Sequence, residues 1–376
     1  MKTHSISLAA LALVSGSALA QAPAPAPANE AQQNNAQPTV MDRLKSTAQS
    51  VIGSPMAKLD TDMRHVVDAL AALDPQPLPK LEAAEARKQP SAADAAQQVL
   101  REQGKSSLPD PAVMAKNILV DGAKGRIVAT VYAPATASGP LPVIVYYHGG
   151  GFVIASNTTY DASARMLAKG VNAVVVAVEY SKAPQHKFPA SHDDAVAAYK
   201  WVAQNAASIG GDPAKIALAG ESAGGNLAVN VAIAARDQNL SKPLHQLIVY
   251  PMAATNLESA SYQENASAKP LDKPMMEWFY ANLTNGPADM ADPRLDIAGK
   301  ADLKNLPPAT VITAQIDPLQ SDGLALVDKL KAAGVKVDAR SFDGVTHEFF
   351  GMGLVVAKAK EAEDLAVANL KAALAR

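Results

Sequence analysis

The 376-residue sequence contains no cysteine, so neither a disulfide nor a cysteine-linked lipid anchor is available to it. Its stability must come from core packing. It also lacks an excess of either charge: 34 basic and 36 acidic residues leave a formal net charge of −2, too little to draw the chain onto nucleic acid or anionic lipid. A small, neutral or apolar partner fits better. The N-terminal apolar run, residues 6–14, falls short of the roughly 20 residues that span a bilayer. No internal repeat is present. What the sequence does have is apolar content, 48%, enough at this length for one large core with an accessory piece.

Lys2, the apolar run and the small residues ending Ala18-Leu19-Ala20 form the pattern of a secretory signal peptide, residues 1–20, cleaved after Ala20. Export to the periplasm or the medium is expected, with no stable membrane insertion after cleavage. Residues 21–40 open on alternating Ala and Pro and continue polar, the composition of an extended, disordered tether. Residues 41–105 carry helical spacing broken by Pro75, Pro77 and Pro79, which predicts several short helices lying on the main domain. That domain is expected to occupy residues 106–376.

From Asn117 onward, short apolar runs alternate with amphipathic stretches, the mark of a mainly parallel sheet with crossover helices. Strands are expected at 126–133, 142–147, 173–179, 215–219, 246–250, 310–314 and 335–342. Helices are expected at 162–169, 190–207, 224–237, 322–333 and 355–374. Residues 256–295 break the alternation, and Pro270, Pro274, Trp278, Phe279 and Tyr280 suggest an insertion whose helix exposes aromatics.

The strongest local signal is Gly220-Glu221-Ser222-Ala223-Gly224, placed between an apolar strand and a helix beginning at Gly224 or Gly225. On such a turn a serine is held in a strained conformation that projects its hydroxyl, and the flanking glycines leave room for the turn. As a bare pattern it is equally a tight turn; the strand before and the helix after decide for a nucleophile. The second signal is His148-Gly149-Gly150-Gly151-Phe152, just after the strand at 142–147. Three glycines let backbone N–H groups approach an oxyanion, the species that acyl transfer must stabilise. The alternatives are a flexible glycine-rich loop and a phosphate cradle; against the cradle, no G-K-[ST] follows and no G-x-G-x-x-G opens a helix here.

A serine hydroxyl needs a base, and the base needs an orienting partner. Of the seven histidines, His347 follows a late strand in a loop before the last helix. His4 lies in the signal, His65 among the N-terminal helices, His186 and His192 before or in a helix, and His245 at the start of a strand. His148 is better used in holding the glycine loop. Asp317 lies directly after the strand at 310–314, with Pro318 restricting its backbone. Asp322 and Asp343 are its rivals, but Asp322 opens a helix, where a carboxylate caps or faces the first turn. The order Ser222, Asp317, His347 is the one this type of fold uses.

With these residues the chain resembles the hormone-sensitive-lipase-like family of bacterial esterases with the H-G-G-G motif, from about Lys116 to the C-terminus. The matched places are 148–152, 220–227, 317–319, and His347 with Phe349; 180–190 is similar, with Ser181, Lys182 and Gln185 departing from the usual residues. The resemblance implies an α/β-hydrolase fold with a mostly parallel eight-stranded sheet flanked by helices. It also implies a helical cap built from 41–105 and from 256–295. An oxyanion hole from the N–H groups of Gly150, Gly151 and Ala223 is implied too, with His148, Gly149, Gly220 and Gly224 as motif support, and hydrolysis of short- to medium-chain acyl esters without metal or cofactor. Glu221 departs from the commoner aspartate, and Glu348 stands where the family usually has glycine, bringing bulk and charge to the pocket rim. An amidase or peptidase on the same triad and a catalytically silent binding module are the alternatives. The second predicts loss of a triad residue, and none is missing.

Overall fold

The computed structural model describes residues 53–375. The expected signal peptide, the tether and residues 41–52 lie outside the described residues.

Eight strands form one sheet: β1 (Val113–Gly122), β2 (Gly125–Pro134), β3 (Leu141–Tyr147), β4 (Val174–Val178), β5 (Gly211–Glu221), β6 (Gln246–Val249), β7 (Ala309–Ile316) and β8 (Val337–Thr346). Their spatial order is β1-β2-β4-β3-β5-β6-β7-β8. The β1/β2 and β2/β4 pairs are antiparallel, and all pairs from β4 to β8 are parallel. The parallel strands read as unbroken apolar runs because both faces are covered. In β4, Val174-Val175-Val176-Ala177-Val178, every residue is buried, and each valine withdrawn from water contributes about 2 kcal/mol of transfer free energy.

The pleat sorts these side chains into two cores. Val143, Val145 and Tyr147 of β3 point to one face, where Leu227 and Val231 of α5 (Ala223–Asp237) pack. Ile144 and Tyr146 point to the other, against Leu167 of α3 (Asp161–Val171) and Ala362 and Leu370 of α8 (Ala357–Leu374). The same second core includes Met63 and Val66 of α1 (Thr61–Ala72) and Val99 of α2 (Ala92–Glu102). A reciprocal capping box between Ser91 and Asp94 starts α2, satisfying donors that a helix N-terminus leaves unpaired. Helix α4 (Ala190–Asn205), α6 (Lys273–Leu283) and α7 (Gln320–Ala332) complete the long helices.

Two expectations are corrected. The strand β1 was not among those expected, since its exposed edge alternates poorly: Met114 and Leu119 face solvent while Val113 and Val120 are buried. The aromatics of 256–295 are not exposed. Phe279 and Tyr280 are buried in the first core, the Tyr280 hydroxyl donates to the Ala254 carbonyl at 2.9 Å, and the Trp278 indole N–H donates to the Leu81 carbonyl at 3.2 Å. Among the described residues, no helix is long and apolar enough to cross a membrane.

Candidate active site

Strand β5 ends at Glu221 and α5 begins at Ala223, one residue earlier than expected, so Ser222 alone makes the turn. Its backbone sits at φ 56°, ψ −117°, a conformation that costs on the order of 1–3 kcal/mol for a residue with a side chain. Three bonds hold it there. The Ser222 N–H donates to the Val249 carbonyl at 2.9 Å, while its carbonyl accepts from Asn226 at 3.1 Å and Met252 at 3.2 Å. The flanking glycines are required by close approach. A Cβ on Gly220 would lie 2.1 Å from the Gly224 carbonyl oxygen, and one on Gly224 would lie 1.9 Å from the Tyr147 carbonyl oxygen. Strand β3, strand β5 and helix α5 therefore meet with no side chain between them.

His347 follows β8 directly, because that strand continues through Thr346 instead of ending near Phe342. Its Nδ1–H donates to Asp317 Oδ2 at 2.7 Å, which fixes the tautomer and leaves Nε2 as the proton acceptor. Asp317 lies just past β7, fully buried; its Oδ1 accepts from the Leu319 N–H at 2.8 Å. Burial alone would depress the His347 imidazole, but the Asp317 carboxylate, with help from Glu348 and Glu221, outweighs it and raises the pKa.

Ser222, His347, Gly150 and Gly151 all line one cavity of about 920 Å³. Among the described residues, neither the Gly150 nor the Gly151 N–H donates to another protein group. Ala223 is the first residue of α5, where an N–H has no carbonyl within its own helix. Three donors are thus unclaimed around the serine. Gly150 and Gly151 take φ of 99° and 59°, and a Cβ on Gly151 would strike the Phe279 ring at 2.3 Å, so only glycine fits.

His148 does not line this cavity. Its ring stacks on Tyr180 with centroids 4.4 Å apart, its Nε2 lies 3.7 Å from Glu179 Oε1, and the Tyr180 hydroxyl donates to its carbonyl at 2.7 Å. It anchors the glycine loop. Gly149 supports the loop by size: a Cβ there would meet the Tyr160 hydroxyl at 2.2 Å.

Residues 144–351, more than half of the chain, match the family described as alpha/beta hydrolase fold. The chain belongs to that family. It is 41% identical over 271 residues to carboxylesterase NlhH of Mycobacterium tuberculosis, covering 71% of this chain and 84% of that relative. It is 36% identical over 229 residues to ethyl acetate hydrolase of Pseudomonas putida, covering 61% and 71%. A solved hyperthermophilic esterase from the archaeon Pyrobaculum calidifontis superposes with a TM-score of 0.76 at 37% identity, covering 84% of this chain and 98% of that one. Membership in the hormone-sensitive-lipase-like group, expected from the motifs, agrees with these likenesses.

Two groups that motif reading left unassigned complete the site of this family member. Glu221 is buried beneath the serine, accepting from the hydroxyls of Tyr146 at 2.5 Å and Tyr250. Burial pushes its carboxyl up to about 7 against these hydrogen bonds, and the Tyr250 ring packs on His347 with centroids 4.5 Å apart. Tyr160, ahead of α3, donates to Glu348 Oε1 at 2.5 Å on the cavity wall. No local pattern marks it among nine tyrosines; only the fold brings it there. The rivals for the acid are placed elsewhere. Asp322 Oδ2 accepts from the Ala253 and Ala254 N–H groups, and Asp343 is exposed.

Proposed function

We propose that the chain is a carboxylic ester hydrolase working through Ser222, His347 and Asp317. The observation that carries this reading is a buried imidazole tied through Nδ1 to a buried carboxylate, sharing a cavity with a strained serine and two unclaimed glycine N–H groups. His347 takes the Ser222 proton as the oxygen attacks the ester carbonyl, and the oxyanion is met by Gly150, Gly151 and Ala223. His347 then protonates the leaving alcohol. Water enters the same path to release the acid. Relatives named carboxylesterase and ethyl acetate hydrolase support ester over amide.

Residues 53–105 and 256–295 act as the cap. Leu70 of α1 and Leu271, Met275 and Met276 in or beside α6 line the cavity, so its depth is finite and apolar. Each added methylene contributes about 0.8 kcal/mol only while it is buried. Rates on a homologous series of p-nitrophenyl esters should peak at roughly two to eight acyl carbons. A rate that keeps rising through long chains and jumps at an oil interface contradicts a pocket of finite depth.

Export is part of the proposal and rests on Lys2, the apolar run and Ala18-Leu19-Ala20. The mature chain should begin at Gln21. N-terminal sequencing of protein recovered from the periplasm or medium of a bacterial host checks this, and an intact Met1 in that material counts against it.

A further inference from the structure

Glu348 directly follows the base, and its backbone lies at φ 69°, a left-handed conformation that glycine adopts freely and a long side chain rarely does. A carboxylate is nevertheless kept there. Its Oε1 accepts from the Tyr160 hydroxyl at 2.5 Å and lies 3.9 Å from His347 Nε2. Burial, and then the charge of Glu348 itself, pushes the Tyr160 phenol well above its usual value, so Tyr160 remains a neutral donor. Glu348 is thus a clamped charge on the cavity wall beside the ring nitrogen that handles the proton.

The other charged groups on that wall are occupied or displaced. Asp94 closes a capping box with Ser91, and Asp272 caps α6 and pairs with Lys269. Arg87 keeps its positive charge, but its guanidinium is held on the carbonyls of Val153 and Ala183 and on the Gln185 side chain. Asp74, Lys80 and Lys88 are exposed.

His347 Nε2 must deliver its proton to the oxygen of the departing alcohol, so whatever flanks Nε2 faces the alcohol half of the ester. Resting on the esterase reading, we propose that Glu348, positioned by Tyr160, is a specificity determinant that reads charge on that half, favouring esters of cationic alcohols and rejecting those of anionic ones. Unit charges a few ångströms apart in a partly desolvated site change a binding constant by about tenfold or more.

The test uses three butyrate esters: of choline, of its uncharged isostere carrying a tert-butyl group, and of a sulfonate-bearing alcohol of the same length. All three form the same butyryl-enzyme, so differences in kcat/KM report binding and acylation alone. Wild type should prefer the cationic over the neutral isostere by about tenfold and discriminate against the anionic ester by a similar factor, with both ratios shrinking at high salt. Glu348→Gln and Glu348→Gly should bring both ratios close to unity. Glycine suits the backbone, so that variant should fold. Tyr160→Phe should leave intermediate ratios. Ratios unaltered in both Glu348 variants, or no charge preference in wild type while the neutral ester is hydrolysed, overturn the role of Glu348 alone. No hydrolysis of any ester by wild type overturns the esterase reading and this proposal with it.

Discussion

Replacing Ser222 with alanine is expected to leave a folded protein with kcat for an activated acetate ester reduced by about 10⁶-fold, the loss typical of removing a triad nucleophile. The fold should survive because the bonds that hold the turn are backbone bonds: Ser222 to Val249, and Asn226 and Met252 to Ser222. Alanine at φ 56° carries much the same strain as serine, and the change deletes one oxygen from a site that is already nearly closed to solvent. Circular dichroism and the thermal midpoint report the fold; turnover reports the chemistry. A Ser222→Ala protein that remains active removes Ser222 from the mechanism.

Asp317→Asn should lower kcat by about 10⁴-fold, as in other triads where the acid becomes an amide. The amide can present N–H toward His347 Nδ1, stabilising the tautomer whose Nε2 carries the proton and cannot accept one. It also removes the charge that offsets burial of the imidazole. Asp322→Asn provides the contrast, with kcat expected to stay within about tenfold because the amide oxygen can still accept the two backbone N–H groups. Burial pushes the Asp322 carboxyl above the usual carboxylate range against the pull of those two N–H bonds. If the two variants exchange behaviours, the acid is Asp322.

Much of the site was legible because each signal is local. Gly220 is demanded by a backbone contact with Gly224 within one strand-turn-helix unit, Gly224 by the close approach of the Tyr147 carbonyl at the end of β3, and the glycines after β3 by a loop that must approach an oxyanion. Asp317 and His347 were found from their positions after late strands. The boundary of β8 was misplaced because Asp343 and Gly344 resemble a loop, yet the strand runs to Thr346, pairing with Ile316 across an irregularity. The edge strand β1 was missed because, paired on one side and largely exposed, it carries neither the unbroken apolar run of a strand covered on both faces nor a regular alternation.

The sequence by itself determined the alternation of strands and helices, the nucleophile turn, the glycine loop and the order of the three reacting side chains. It could do so because strand burial, tight turns and close backbone approach each leave a pattern within a few consecutive residues. Only the tertiary structure decided that Phe279 closes on Gly151, that Tyr160 clamps Glu348, and that Glu221 is sealed between Tyr146 and Tyr250. Those contacts join residues up to 188 positions apart in the chain, and their energy comes from burial and hydrogen bonds that exist only once separate elements pack, so no run of neighbouring residues could announce them.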